Sequence, residues 1–173
     1  MIPKTIHYCW FGGNPLPKAA RKYIKSWKKF FPDYEIKRWD ETNFDVNSIP
    51  YTREAYKAGK FAFVSDYARF WILYNYGGLY FDTDVEVIRS LDDIIQDGPF
   101  MGVEKQDDDL ITVAPGLCLG AEKHNDLFAD LIQFYSNASF INPDGTLCLT
   151  NVVEITTEFL VKGQLVNTDE IQH

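Results

Sequence analysis

An α/β fold is what this sequence predicts, and three observations predict it. Short apolar segments of strand character alternate with segments of helical period. The stretch from Phe61 to Tyr76 is apolar or aromatic almost all round, as a helix covered on every side must be. Acids on alternate residues follow at once in GGLYFDTDVEV, residues 77–87, a pattern that in a strand puts Tyr80, Asp82, Asp84 and Glu86 on one face and Leu79, Phe81, Val85 and Val87 on the other. With 173 residues, 46% of them hydrophobic, the chain is expected to form a single domain over residues 1–173 with a real core.

The elements follow in order. KTIHYCWFGG reads as a buried first strand ending in a glycine turn, where a missing Cβ lets backbone approach a ligand. PLPKAARKYIKSWKKFF is a helix opened by proline, with Ala20, Tyr23, Ile24, Trp27, Phe30 and Phe31 as its apolar stripe. Its other face carries Lys18, Arg21, Lys22, Lys25, Lys28 and Lys29. That basic face, residues 18–29, is either an ordinary solvated surface or a contact for anionic lipid headgroups or an anionic acceptor. YEIKRWD is a second strand, and TREAYKAG a short helix closed by Gly59. The buried helix that follows is interrupted by Ser65, Asp66 and Arg69, which fall within one arc of about 100° at helical spacing. A two-glycine turn then joins this polar strip to the acidic strand, so both face one cavity at the end of a central strand. GPFMGV and LCLGAE are further short strands, EKQDDDLITVAPG between them an acidic loop, and NDLFADLIQFYSN and NVVEITTEFLVKG helices.

Seventeen basic against twenty-five acidic residues give a net charge of −8, which argues against non-specific nucleic-acid binding. Cys9, Cys118 and Cys148 are odd in number and widely spaced, so neither a disulfide framework nor a cysteine zinc site is expected. His7, His124 and His173 form no local metal motif. The first residues lack the features of a signal peptide, and a cytoplasmic location, with peripheral contact to the inner face of the membrane through the basic helix, is the expectation.

Carboxylates two apart on a strand lie roughly 6–7 Å from one another and repel, an arrangement that asks for a cation. Asp and Glu are hard oxygen ligands suited to Mg²⁺ or Mn²⁺. Such a metal commonly shares its remaining positions with phosphate oxygens and offsets the charge of a departing diphosphate. Arg69 offers a bidentate fork for phosphate or carboxylate, and Asp66 an acceptor for hydrogen bonds.

The stretch KFAFVSDYARFWILYNYGGLYFDTDVEV resembles the D-x-D signature region of glycosyltransferase family 32. That family includes bacterial capsular-polysaccharide glycosyltransferases and yeast-type initiating α-mannosyltransferases, and the clostridial glucosylating toxins share its core pattern. IPKTIHYCWFGG, SWKKFFPDYEIKRWD and GLCLGAEKHNDLFADLIQFY fit the same family, so the resemblance covers most of residues 1–160. It implies a GT-A fold, a UDP- or GDP-sugar donor, Mn²⁺ or Mg²⁺, and transfer of a hexose with retention of configuration. The acceptor it implies is a saccharide or lipid-linked molecule, as in bacterial surface polysaccharide synthesis.

Carried over position by position, Trp10 would stack on the nucleotide base, while Asp66 and Arg69 would hold the donor sugar and its phosphates. Tyr80 would pack near the nucleotide or sugar. Asp82 would contact the ribose, the sugar or the metal, and Asp84 would be the metal ligand. Arg69, Asp82 and Asp84 are therefore expected to carry the chemistry, with Ser65 turned toward the ligand or bonded back to its own helix. Family members run on to a late segment containing His and Trp, which this sequence, ending in NTDEIQH, does not show, so the domain is expected to be C-terminally incomplete.

Each residue also has a purely structural reading: Asp66 and Arg69 as a buried ion pair, Trp10 and Tyr80 as core, Glu86 as strand-end solvation, His7 as a satisfied strand residue. Two other functions compete. A haloacid-dehalogenase-like phosphatase also uses D-x-D, but its motif opens the chain and wants Thr or Val where Glu86 stands. A non-catalytic nucleotide-sugar-binding module is the other.

Overall fold

The computed structural model describes residues 1–107 and 110–162. Strand β1 (Thr5–Cys9), helix α1 (Lys18–Phe30) and strand β2 (Glu35–Trp39) form a β-α-β unit whose strands run parallel, Ile6 opposite Ile36 and Cys9 opposite Trp39. Helices α2 (Pro50–Lys57) and α3 (Phe61–Tyr76) lead to β3 (Gly78–Tyr80), which adds to the other edge of β1, again parallel. The chain continues through α4 (Asp92–Gln96), β4 (Phe100–Met101), β5 (Val103–Asp107), β6 (Leu110–Val113), β7 (Leu119–Ala121), α5 (Asp126–Ser136) and α6 (Val152–Lys162). The main sheet runs β2-β1-β3-β7-β4, with β7 antiparallel to both its neighbours, so β3 is central as expected.

Strand alternation sorts the side chains into two cores. Ile6, Tyr8, Leu79 and Phe81 pack with Trp27 of α1 and with Phe31 just beyond it. Cys9 and Tyr80 point to the opposite face, into a larger core with α2, α3 and α5. Helix α3 is buried at Val64, Tyr67, Ala68, Phe70, Ile72 and Leu73, and also at Asp66 and Arg69. Its exit into β3 depends on glycine: Gly78 sits at φ +104°, and a Cβ there would lie 2.5 Å from the Thr5 carbonyl oxygen.

His7 joins three elements. Its Nδ1 accepts a hydrogen bond from the Trp39 indole at 3.0 Å, and its Nε2 lies 3.0 Å from the Gly77 carbonyl, so the ring serves as a neutral donor to one and acceptor to the other. Burial pushes its pKa down to about 4, Lys37 adding to the effect and the Gly77 bond opposing it. The satisfied-strand reading holds.

Two expectations need correction. The strand expected over residues 77–87 ends at Tyr80. Beyond Phe81 the Asp82 N–H donates to the Gly116 carbonyl at 2.8 Å, and the Val85 N–H closes a turn onto the Asp82 carbonyl at 3.1 Å. Asp and Thr favour such turns, and a pleated strand would have stacked three like charges on one face. The common face therefore breaks, and Glu86 crosses to α1, where it pairs with Lys22 at 3.3 Å.

The loop expected in EKQDDDLITVAPG is instead the hairpin β5–β6, although Asp108 and Asp109 lie outside the described residues. The β-formers of LITV outweigh the acids beside them, because Ile111 and Val113 are buried and the Val113 N–H donates to Thr157 Oγ1 of α6. Cys9, Cys118 and Cys148 are free thiols, and among the described residues no helix is long and apolar enough to cross a membrane.

Candidate active site

The polar strip of α3 and Asp82, the first acid after β3, do meet, at the carboxyl end of the parallel strands where sheets of this class bind ligands. Arg69, 3% exposed, is the hub. Its Nε donates to the Ser65 carbonyl at 3.1 Å, its Nη2 to Asp66 Oδ1 at 2.8 Å and its Nη1 to Asp82 Oδ2 at 3.4 Å. Three of a guanidinium's five N–H groups are thereby used, and two remain for a ligand. The fork lies 5.0 Å over the ring of Tyr80, whose hydroxyl donates to Asp82 Oδ1 at 2.9 Å. Asp82 is thus held on both oxygens. Burial acts against the Arg69 charge, but Asp82, Tyr80 and Asp66 together outweigh it, and the guanidinium stays protonated.

Asp66 is 6% exposed, and burial pushes its carboxyl up to about 6 even though Arg69 beside it pulls the other way. The backbone N–H of Val152, at the positive N-terminal end of α6, also opposes that rise. That end is fixed by a reciprocal cap in which Asn151 Oδ1 accepts from the Glu154 N–H and the Glu154 carboxylate from the Asn151 N–H. Around Asp66, Tyr51 and Tyr135 are buried with hydroxyls that have no hydrogen-bond partner among the described residues, and burial followed by the Asp66 charge raises both their pKa values.

Asp84 differs from its neighbours. It is exposed and, among the described residues, makes no hydrogen bond or ion pair. Ser65 takes the plainer of its two readings, its hydroxyl bonded back to the Phe61 carbonyl at 3.3 Å. Trp10, half-buried just past β1 at the same end of the sheet, donates its indole N–H to the Asn14 carbonyl at 2.7 Å and packs on the α1-side core.

Two residues at the site escaped sequence reasoning. A Cβ at Gly116 would lie 1.9 Å from Asp82 Oδ2 and 3.1 Å from Arg69 Nη1, so the Gly116 backbone forms part of the wall against these side chains. The only local signal is the turn dipeptide Pro115-Gly116. Cys9 lies among Tyr80, Ser65 and Arg69, and burial pushes its thiol up to about 12, which makes it inert packing.

Among the described residues no three metal-ligating side chains cluster, so an all-protein cage is absent. Two hard oxygen donors stand a single residue apart in sequence: Asp82, fixed beside the Arg69 fork, and Asp84, exposed and without a hydrogen-bond or ion-pair partner among the described residues. That set fits Mg²⁺ or Mn²⁺, which takes one or two protein carboxylates and leaves the rest of its shell to water and phosphate.

The architecture is of the GT-A type, and Asp82-Thr83-Asp84 is a D-x-D sequence within it. Residues 17–101 match the glycosyltransferase sugar-binding region containing the DXD motif, and this region of the chain belongs to that family. It is 34% identical over 98 residues to inositol phosphoceramide mannosyltransferase 3 of Schizosaccharomyces pombe, covering 54% of this chain and 27% of that protein. To an uncharacterised glycosyltransferase of Acanthamoeba polyphaga mimivirus it is 33% identical over 111 residues, covering 61% of this chain and 44% of that one. The chain thus spans less than half the length of these relatives. Among solved structures, PaToxG glycosyltransferase superposes with a TM-score of 0.68 at 18% identity, over 94% of this chain and 70% of that one.

Proposed function

We propose that this chain is a metal-dependent retaining glycosyltransferase, moving a hexose from a nucleotide-diphosphate sugar to a saccharide or lipid-linked acceptor. The observation that carries the reading is the Arg69 hub, which fixes Asp82 two positions before Asp84, an exposed acid with no partner among the described residues. Asp84, with Asp82, would hold Mn²⁺ or Mg²⁺, and the metal when bound would offset the negative charge of the departing diphosphate.

The remaining roles fall to this chain's own side chains. The two spare N–H groups of Arg69 take donor phosphate or sugar oxygens. Asp66 accepts sugar hydroxyls, Tyr80 locks Asp82 in place, and Trp10 stacks on the base. In the transfer the bond from the anomeric carbon to the diphosphate oxygen breaks and the acceptor oxygen bonds to the same face of that carbon. Its proton passes to the departing phosphate oxygen. No protein nucleophile is required. A lipid acceptor draws support from the name of the fission-yeast relative. The phosphatase alternative loses ground because both Asp82 oxygens are already held, which is poor preparation for a nucleophile.

Release of nucleoside diphosphate from UDP- and GDP-hexoses in the presence of Mn²⁺ tests this reading. One donor is expected to turn over, with release at least about a hundredfold slower in Asp84→Ala and Arg69→Ala. Hydrolysis of an aryl phosphate without nucleotide would point to the phosphatase instead, and donor binding without release to a binding module.

A further inference from the structure

We propose that the outward face of α1, together with the segment 86–89 beside it, docks on an anionic lipid bilayer. All six cations expected on this face, Lys18, Arg21, Lys22, Lys25, Lys28 and Lys29, are exposed, while Ala20 and Trp27 on the opposite side are buried and fix the helix's rotation. The helix contains no acid. Over 13 residues the cationic face is about 20 Å long, a flat strip rather than a pocket. It stands against the rest of the molecule: these six are taken from 17 basic residues, leaving 11 against 25 acids elsewhere. Among the described residues only Lys22 of the six pairs with a carboxylate.

The segment after the D-x-D turn completes the surface. Trp27 Nε1 donates to the Val85 carbonyl and the Val87 N–H to Ser26 Oγ, each at 2.9 Å, so residues 85–87 run along α1 on the side of Lys22 and Ser26. Immediately beyond, Ile88 is 79% exposed and Arg89 is exposed. A large apolar side chain held out beside a row of cations is the pairing that seats a protein on a charged bilayer, the cations in the headgroups and the apolar group just below them.

A bilayer fits better than a nucleic acid. Five of the six α1 cations are lysines, point charges suited to a plane of phosphates rather than to bidentate base reading. The chain's net −8 opposes a polyanion that wraps, whereas a plane meets one face alone.

The surface is independent of the transferase reading, and its test uses neither donor nor acceptor. Vesicles of phosphatidylcholine alone, and of phosphatidylcholine with phosphatidylglycerol, are sedimented with the wild type, with Lys25→Gln/Lys28→Gln/Lys29→Gln and with Ile88→Ser. The wild type is expected to bind only the anionic vesicles and to be released by salt. At about fivefold per lysine, the triple variant should lose about a hundredfold in partitioning. Ile88→Ser should lose several-fold with its salt dependence unchanged. Equal binding to both vesicles, equal binding by the triple variant, or capture by duplex DNA with no vesicle binding would each overturn the proposal. All four positions are exposed, and far-ultraviolet circular dichroism is the check that the variants fold.

Discussion

Gly116 meets Asp82 and Arg69 at distances no side chain could share. Gly116→Ala should therefore force the Asp82 carboxylate off its place between Tyr80 and Arg69 while leaving both cores untouched. We expect unfolding free energy within about 1 kcal/mol of wild type and donor-nucleotide affinity lower by at least about tenfold, read by calorimetry beside a denaturant melt. Loss of stability with affinity retained would show that the glycine serves only the turn. The contrast with Asp66 and Arg69 is instructive. Their meeting was legible because residues three apart on a helix share a face, whereas Gly116 reaches Asp82 across 34 positions of sequence and leaves no periodic trace. The same limit hid the Val152 N–H that approaches Asp66.

At the scale of elements, His7 ties β1 to β2 and to the end of α3, and Asp66 ties α3 to α6. Their titrations oppose. His7 falls from 6.5 to about 4 on folding, so its neutral bonds stabilise fully above pH 6.5, and that contribution is lost as pH drops toward 4. Asp66 rises from 3.8 to about 6, so its contribution is present below pH 4 and is lost as pH climbs toward 6. Between pH 4 and 6 the two slopes partly cancel. Asp66→Asn should leave a stability that rises more steeply with pH across this window than in the wild type, and His7→Gln one that falls, both read as urea midpoints. Parallel shifts with unchanged slopes would contradict this assignment.

Element identities were the most legible feature of the sequence. The all-round apolar run gave α3, and the three-and-four spacing gave α1. Element ends were not. The alternation of residues 77–87 continues past Tyr80, but the chain turns there because Asp82 finds the Gly116 carbonyl instead of a sheet partner. The acids of EKQDDDLITVAPG disguised a hairpin whose strand character lies in four residues and whose cover is α6.

For the molecule as a whole, the account rests on one division of labour among the acids. Asp66 and Asp82 are fixed by Arg69, while Asp84 has no partner among the described residues and, in the proposed function, holds a metal whose shell a nucleoside diphosphate completes. A shell so dependent on its substrate should bind metal weakly alone and nucleotide weakly without metal. The most direct test is calorimetric titration of UDP and of GDP, each with Mn²⁺, Mg²⁺ or EDTA, into the wild type and Asp84→Ala. The account predicts that one nucleotide binds with metal, that EDTA abolishes binding, and that Asp84→Ala weakens it at least about a hundredfold with folding intact. Tight binding of nucleotide in EDTA, or binding unchanged in Asp84→Ala, would contradict it.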